Sequence, residues 1–310
     1  MKVISVVTPC YNEQENVEEV YGAVKQVFNS LKRKYNYEHI FIDNKSTDKT
    51  PEILRRMARR DKRVKVIFNS RNFGHLRSPY YGLIQSDADA VILLVCDFQD
   101  PPEMIPEFIK KWEQGKRIVI GVKPKSEESQ IMFAIRTIFY KIISRISDVE
   151  HIKNFTGFGL YDKSFIEILR KIDDPYPYLR GLVAELGGDI EQVEFVQPKR
   201  RRGRTKNNLY TLYDLAILGF INYSKIPIRI ASLIGFSVAF LSLLVALAYL
   251  VAKIIYWNTF NAGIAPLVIG FFFFSSVQMI FIGLIGEYVG AILTQVKRRP
   301  LVIEKERINF

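Results

Sequence analysis

The chain opens on an apolar run, Val3 to Thr8, followed by Pro9, Asn12 and Glu13, a pattern that predicts a strand and the loop after it. From Gln14 to about Lys34 the apolar positions return at helical spacing. Val17, Val20, Val24, Val27, Phe28 and Leu31 fall on one face. His39 to Asp43 predicts a second strand ending in a carboxylate. Ser46, Thr47 and Asp48 then supply cap chemistry, and Pro51 suits the start of a helix to about Arg60. Val64 to Phe68 predicts a third strand, Asn69 to Leu76 a loop, and Pro79 to Ser86 a short helix. The run Val91 to Cys96 stops abruptly at Asp97 and predicts a buried fourth strand. Pro102 suits the first turn of a helix that continues through Pro106 to Gln114, and Arg117 to Val122 predicts a further strand. This β-α-β-α alternation predicts an α/β fold, with a mostly parallel sheet flanked by helices on both faces.

The pattern changes late in the chain. Ile230 to Ala252 and Ile264 to Gly286 contain no charged residue. Each is long enough to cross about 30 Å of hydrocarbon, so two transmembrane helices are expected at about 230–254 and 264–290. Before them, Leu209 to Tyr223 alternates apolar and polar residues at helical spacing, which suits a helix lying in the membrane interface. A length of 310 residues suits more than one unit. The expected division is a polar α/β domain at 1–207, an interfacial amphipathic helix at 208–226, and a membrane domain at 227–310 with a short tail.

Charge sets the orientation. Lys225 and Arg229 precede the first span, and Lys297, Arg298 and Arg299 follow the second, whereas 257–263 carries no cation. Positive residues favour the cytoplasmic side, so the α/β domain and both termini are expected there, on a multi-pass cytoplasmic membrane protein. The whole chain is basic, with 44 Lys+Arg against 32 Asp+Glu and a net charge of +12. That balance favours phosphate-rich partners or an anionic membrane face. Lys199 to Lys206 concentrates it, with Arg200, Arg202 and Lys206 as candidate contacts to lipid phosphate. This run lacks the interleaved aromatics of single-strand platforms, so no nucleic-acid partner is expected. Cys10 and Cys96, the only cysteines, lie in apolar strand-like runs and read as small buried hydrophobes.

Three predicted strands end in acids: Glu13 just past the first, Asp43 at the second, Asp97 at the fourth. In an open α/β sheet, ligands bind outside the carboxyl ends of the strands. Asp97, Gln99 and Asp100 place hard oxygen groups there, suited to Mg²⁺ or Mn²⁺ bridging a diphosphate. Capping of the next helix is the plainer alternative for the acids after the fourth strand.

Read together, Val7-Thr-Pro-Cys-Tyr-Asn-Glu13, Ile42-Asp-Asn-Lys-Ser-Thr-Asp48, Ser70-Arg-Asn-Phe-Gly74, Asp97-Phe-Gln-Asp-Pro-Pro-Glu103, Thr156-Gly157 and Leu179-Arg-Gly-Leu182 resemble one family. It is that of family 2 inverting glycosyltransferases with a GT-A (Rossmann-like) fold. Within it the chain resembles polyprenyl-phosphate glycosyltransferases of the GtrB and dolichyl-phosphate mannose synthase type. The resemblance implies that Pro9, Tyr11, Glu13, Asp43 and Asp97 bind the nucleotide, with Tyr11 packing on the base and Asp43 accepting from uracil N3–H. It implies Mg²⁺ or Mn²⁺ on Asp97 and Gln99. It places acceptor-phosphate contacts near Lys123 and Arg136, which would act with Asp97 in catalysis; Arg71, Arg77 and Arg180 could also reach phosphate. Two positions depart from the pattern: Val95 replaces the first Asp of Asp-x-Asp, and Lys45 stands where glycine is common.

The implied reaction is inverting transfer of a hexose, with glucose the first choice, from a UDP-sugar to a polyprenyl phosphate such as undecaprenyl phosphate. Galactose, an N-acetylhexosamine and mannose stay open. The product would be a lipid-phosphate-linked sugar for later flipping and glycan modification. A homo-oligomer is implied, a tetramer being one candidate. A processive membrane polysaccharide synthase is disfavoured by two spans and by Trp112 and Trp257 lying outside any Gln-x-x-Arg-Trp motif. A non-catalytic membrane scaffold is the third reading, favoured only by Val95.

Overall fold

The computed structural model describes residues 1–31, 34–123, 152–198, 226–256 and 264–310. The expected helix around Arg136, the basic run with Arg200, Arg202 and Lys206, and nearly all of the expected interfacial helix lie outside the described residues.

The elements run β1 (Val3–Cys10), α1 (Val17–Ser30), β2 (Asn36–Asp43), α2 (Thr50–Arg60), β3 (Val64–Asn69), α3 (Gly74–Ile84), β4 (Ala90–Leu93), α4 (Ile105–Glu113), β5 (Ile118–Val122), β6 (Phe155–Asp162), α5 (Lys163–Lys171), α6 (Leu179–Leu186), β7 (Ile190–Glu194), α7 (Ile226–Ile255), α8 (Ile264–Val296) and β8 (Glu304–Ile308). Eight strands form one sheet in the order β7-β5-β6-β4-β1-β2-β3-β8. β1 lies parallel between β2 and β4, with Cys10 level with Asp43 and Val7 level with Leu93. The sheet is mixed: β6 runs antiparallel to β4 and β5, and β8 runs antiparallel to β3.

Burial follows the apolar pattern. Ile4, Val6, Val7, Ile40, Phe41, Ile42, Val91 and Ile92 are all fully buried, as central strands covered on both faces require. Val17, Val20, Val24 and Phe28 of α1, with Leu54 of α2 and Phe108 of α4, cover one face. Tyr80 and Leu83 of α3, with Phe165 of α5 and Val183 of α6, cover the other. α3 sits close because Gly82 has no side chain; a Cβ there would lie 2.7 Å from Val7 Cγ1. α3 also begins well before the expected Pro79 and keeps that proline inside. Pro79 is the sixth of the eleven residues, past the first turn, so it removes one i→i−4 hydrogen bond that the packing of Tyr80 and Leu83 must offset. The fourth strand is shorter than the apolar run, ending at Leu93. Phe98, in the left-handed region at φ 60, helps turn the chain away.

α7 and α8 are 30 and 33 residues long. Among the described residues one stretch, Gly270–Val296, is long and apolar enough to cross a membrane, with mean hydropathy 1.7; the corresponding stretch of α7, Ile228–Ser242, is shorter. Large apolar side chains such as Leu233, Phe236, Phe271 and Ile280 stay exposed along both helices. Their hydroxyls bond back to carbonyls one turn earlier: Ser232 to Ile228, Ser237 to Leu233, Ser276 to Phe272 and Thr294 to Gly290.

After α8 the chain returns to the sheet. β8 enters beside Asn69, the carboxyl end of β3, and Ser70 N–H donates to the Ile303 carbonyl. Arg55 grips Glu306 with two nitrogens, the shortest contact being 2.7 Å. Tyr81 donates to Glu304, and Asn309 Nδ2 donates to the carbonyls of Ala58 and Val64. Gln295, in the last turn of α8, donates to Asp174 Oδ1 at 2.9 Å. The far end of the apolar helix is therefore fixed at the edge where the parallel strands end.

Deleting residues 304–310 exposes the β3 edge and unpairs Arg55. The apparent Tm of the full chain in detergent should fall by roughly 5 °C or more, read by intrinsic fluorescence. An unchanged Tm would mean that this strand adds nothing to the sheet.

Candidate active site

The loops after β1 and β2 are laced into one wall. Asn12 N–H donates to Ser46 Oγ at 2.8 Å, and Glu13 N–H to Thr50 Oγ1 at 2.9 Å. In return Thr47 N–H donates to Asn12 Oδ1 at 2.7 Å, and Lys49 N–H to Gln14 Oε1 at 3.1 Å. These bonds hold two residues in the left-handed region, Asn12 at φ 55 and Lys45 at φ 65. For Lys45 that conformation costs about 1–2 kcal/mol, which explains why glycine suits the position. The departure at Lys45 thus leaves the turn intact at a local cost.

Asn44, buried beside Asp43, ties in the third loop. Its Oδ1 accepts from Phe73 N–H and Asn69 Nδ2, and its Nδ2 donates to Asn72 Oδ1 and the Gly74 carbonyl. Asp48 caps α2 by accepting from Thr50 N–H. Sequence reasoning treated Ser46 and Asp48 as plain caps and missed their bonds across to the β1 loop. The only signal was the density of short polar residues at both strand ends.

Asp43 is 2% exposed. Its Oδ2 accepts from Ser46 N–H, while Oδ1 is buried with no partner. Burial pushes its carboxyl up, and the bonds from Ser46 partly counter this. An orphaned buried acceptor calls for a donor from outside. Glu13 Oε2 accepts from Asn16 Nδ2 at 2.6 Å, and both Glu13 and Asp43 lie within electrostatic reach of the Cys10 thiol. Cys10 bonds Cys96, the residue before Asp97, so the loops after β1, β2 and β4 converge on one crevice. Both thiols are free and buried, and burial holds Cys10 in its neutral form. Pro9 and Tyr11, half-buried, stand at the β1 end of this crevice.

Asp97 Oδ1 accepts from Gln99 N–H at 3.1 Å, a tight turn that keeps both side chains half-buried at the crevice. Asp100 is fully enclosed. Burial first, and Asp97 second, push its carboxyl up to about 7, against the Val95 N–H and the Lys123 charge. Lys123, at the end of β5, thus shares the electrostatics of this loop while its Nζ donates to Gln197 at 2.8 Å. Among the described residues no group of three or more His, Cys, Asp or Glu side chains could hold a metal alone. Asp97 and Gln99, with Asp100 behind, do suit Mg²⁺ or Mn²⁺, which take one or two carboxylates and complete their shell with phosphate oxygens and water.

His39 takes no part. It is buried between β1 and β2 against Thr8 Oγ1 at 2.9 Å, and burial lowers it to about 3.

Because Asp100 holds its proton to about pH 7 when folded but only to about pH 4 when unfolded, the native state binds the extra proton between those values. Without divalent cation, stability should therefore fall as pH rises through that window. Asp100→Asn should flatten this slope. Melting curves in EDTA at pH 5 and pH 8 test it; an equal slope in the variant would refute the assignment.

The Glycosyl transferase family 2 profile matches residues 5–169. An uncharacterized glycosyltransferase, YkcC of Bacillus subtilis (strain 168), is 33% identical over 96% of this chain and 92% of its own length. The SfII prophage-derived bactoprenol glucosyl transferase of Shigella flexneri is 32% identical over 98% of this chain and 97% of its own. A prophage bactoprenol glucosyl transferase homolog of Escherichia coli (strain K12) is 32% identical over 97% and 98%. With a mostly parallel, helix-flanked sheet whose acidic loops converge at its carboxyl edge, this chain belongs to glycosyl transferase family 2.

Proposed function

We propose that the chain transfers a hexose, glucose first among the candidates, from a UDP-sugar to a polyprenyl phosphate at the cytoplasmic face of a membrane. The observation that carries the reading is positional. The last turn of the apolar helix α8 and the carboxylate-lined crevice meet at the same edge of the sheet, through Gln295 and β8. An acceptor whose phosphate lies at the bilayer surface would arrive at that edge. The full-length similarity to bactoprenol glucosyl transferases supports the same acceptor class.

In this reading residues 1–207 are the catalytic domain, 208–226 an interfacial helix, and 227–310 a membrane domain in which both α7 and α8 span. Exposed apolar side chains and hydroxyls satisfied within each helix support two spans. Both ends of the chain would then be cytoplasmic, and copies would associate as a homo-oligomer.

Tyr11 packs on the uracil, and the unpartnered Asp43 Oδ1 accepts from its N3–H. Pro9 and Glu13 complete the nucleoside wall. A divalent cation at Asp97 and Gln99 would offset charge on the departing UDP. A phosphate monoester loses its second proton near pH 6, so the acceptor oxygen is already anionic at neutral pH and needs no general base. Asn154 to Phe158 accordingly carries no carboxylate. The remaining task is alignment, assigned to Lys123 and Arg136, with Arg200, Arg202 and Lys206 drawing the lipid phosphate to the surface. Attack from the face opposite UDP inverts the anomeric centre.

Membranes containing the chain, incubated with radiolabelled UDP-sugars and polyprenyl phosphate, should yield lipid-soluble label with one donor. Polymer, or no product, would overturn the reading. Asp97→Ala should lower turnover by roughly a hundredfold or more. Asp43→Asn should raise donor KM about tenfold, as expected for one mispaired buried acceptor.

A further inference from the structure

We infer that Arg77, on the first turns of α3, is a phosphate-binding residue for the acceptor, held ready by an aromatic ring and tied to the membrane helix. The inference rests on the lipid-phosphate acceptor proposed above, but the site has its own geometry.

Arg77 Nε is buried and has no hydrogen-bond partner. No carboxylate among the described residues forms an ion pair with this guanidinium. A buried, unpaired guanidinium N–H is costly, and an oxyanion is the group that would relieve it. The planar head lies over the Tyr176 ring, 4.9 Å from its centroid. Stacking occupies the face of a guanidinium and leaves its edge, where the N–H fork lies, for a bidentate oxyanion. Tyr176 sits on the loop between α5 and α6, two residues after Asp174. Asp174 Oδ1 accepts from Tyr176 N–H at 2.8 Å and from Gln295 Nε2 at 2.9 Å. That oxygen is thereby engaged with the loop and with the end of α8. Tyr178, two residues past Tyr176, carries Arg180 of α6 over its ring at 5.1 Å, so the loop supplies rings under two guanidinium groups.

The position suits the ligand. α3 starts at Gly74, at the carboxyl edge, and Arg77 lies on the sheet face opposite α1 and α2. α6 begins beside the end of β4, since a Cβ on Gly157 would touch Leu93 at 3.4 Å and Leu179 at 3.9 Å. A phosphate held by Arg77 would thus sit between the last turn of α8 and the crevice. The shared chemistry is a phosphate oxyanion at the bilayer surface; the acceptor's monoester is the source we assign, ahead of phospholipid headgroups.

The test uses the full chain in nanodiscs, with farnesyl phosphate as probe and no donor. Arg77→Gln should weaken farnesyl phosphate binding about tenfold or more, equally in neutral phosphatidylcholine and in phosphatidylglycerol discs, with UDP affinity unchanged. Arg77→Lys, which keeps the charge but not the fork, should recover only part of the loss. Tyr176→Leu should weaken binding in the same direction by a smaller factor, and it stands as the test should Arg77→Gln fail to fold. Unchanged binding in both lipids overturns the proposal. Weakening confined to anionic discs overturns it too, assigning Arg77 to headgroups. Binding of farnesyl phosphate by a wild-type chain that transfers no sugar would sink the proposed reaction and leave this site standing.

Discussion

The structure depends on a register: β1 paired in parallel with β2 on one side and β4 on the other, with Cys10 level with Asp43 and Val7 level with Leu93. Because the pairing is parallel, every connection must cross back over a face, and every carboxyl end opens on one edge. The register then brings acids that are far apart in sequence into one crevice. Burying acids there is unfavourable: desolvation is the main cause that raises the carboxyls of Asp43 and Asp100. A fold that keeps this arrangement keeps it for a cationic or hydrogen-bond-donating guest.

The polar lacing between the β1 and β2 loops is the counterpart of that crowding. Asn12, Ser46, Thr47, Asp48 and Thr50 use most of their bonding capacity on each other's backbone. The wall is therefore pre-shaped, and the left-handed turns at Asn12 and Lys45 are held before any ligand arrives. Asp43 Oδ1 and Arg77 Nε are buried without a partner, as are Asn16 Oδ1 and Asn69 Oδ1. Asp43 ends β2, whereas Arg77 lies on α3, which packs on the sheet face away from α1 and α2.

How much was legible in the sequence follows from range. The first five strands, α1, α2 and α4 were readable because their apolar positions follow one period within a short window. β1 and β2 lengthened only at their ends. Glu13, Asp43 and Asp97 were readable as a set because acids at strand ends share an edge in any parallel sheet. β8 was not readable: Glu304 to Ile308 is mostly charged, and only pairing to the β3 edge makes it a strand. Its stability comes from Arg55, Tyr81 and Ser70, all more than two hundred residues away in sequence. Arg77 was readable as a cation near the crevice, but its stacking on Tyr176 depends on a loop that no local pattern links to α3.

The return of the chain to the sheet through β8 has a mechanical consequence. A domain joined to an apolar helix by one flexible linker would sample many orientations. Here α8 ends at Val296 and β8 begins at Glu304, so the connector spans at most about 25 Å even fully extended. The Gln295–Asp174 bond adds a second anchor on the other side of the crevice. Two anchors on one edge fix the direction in which that edge faces, whereas one anchor would fix only its distance. The end of α8 and the carboxyl edge of β3 are thus held next to each other by contacts on both sides of the connector, not by the connector alone.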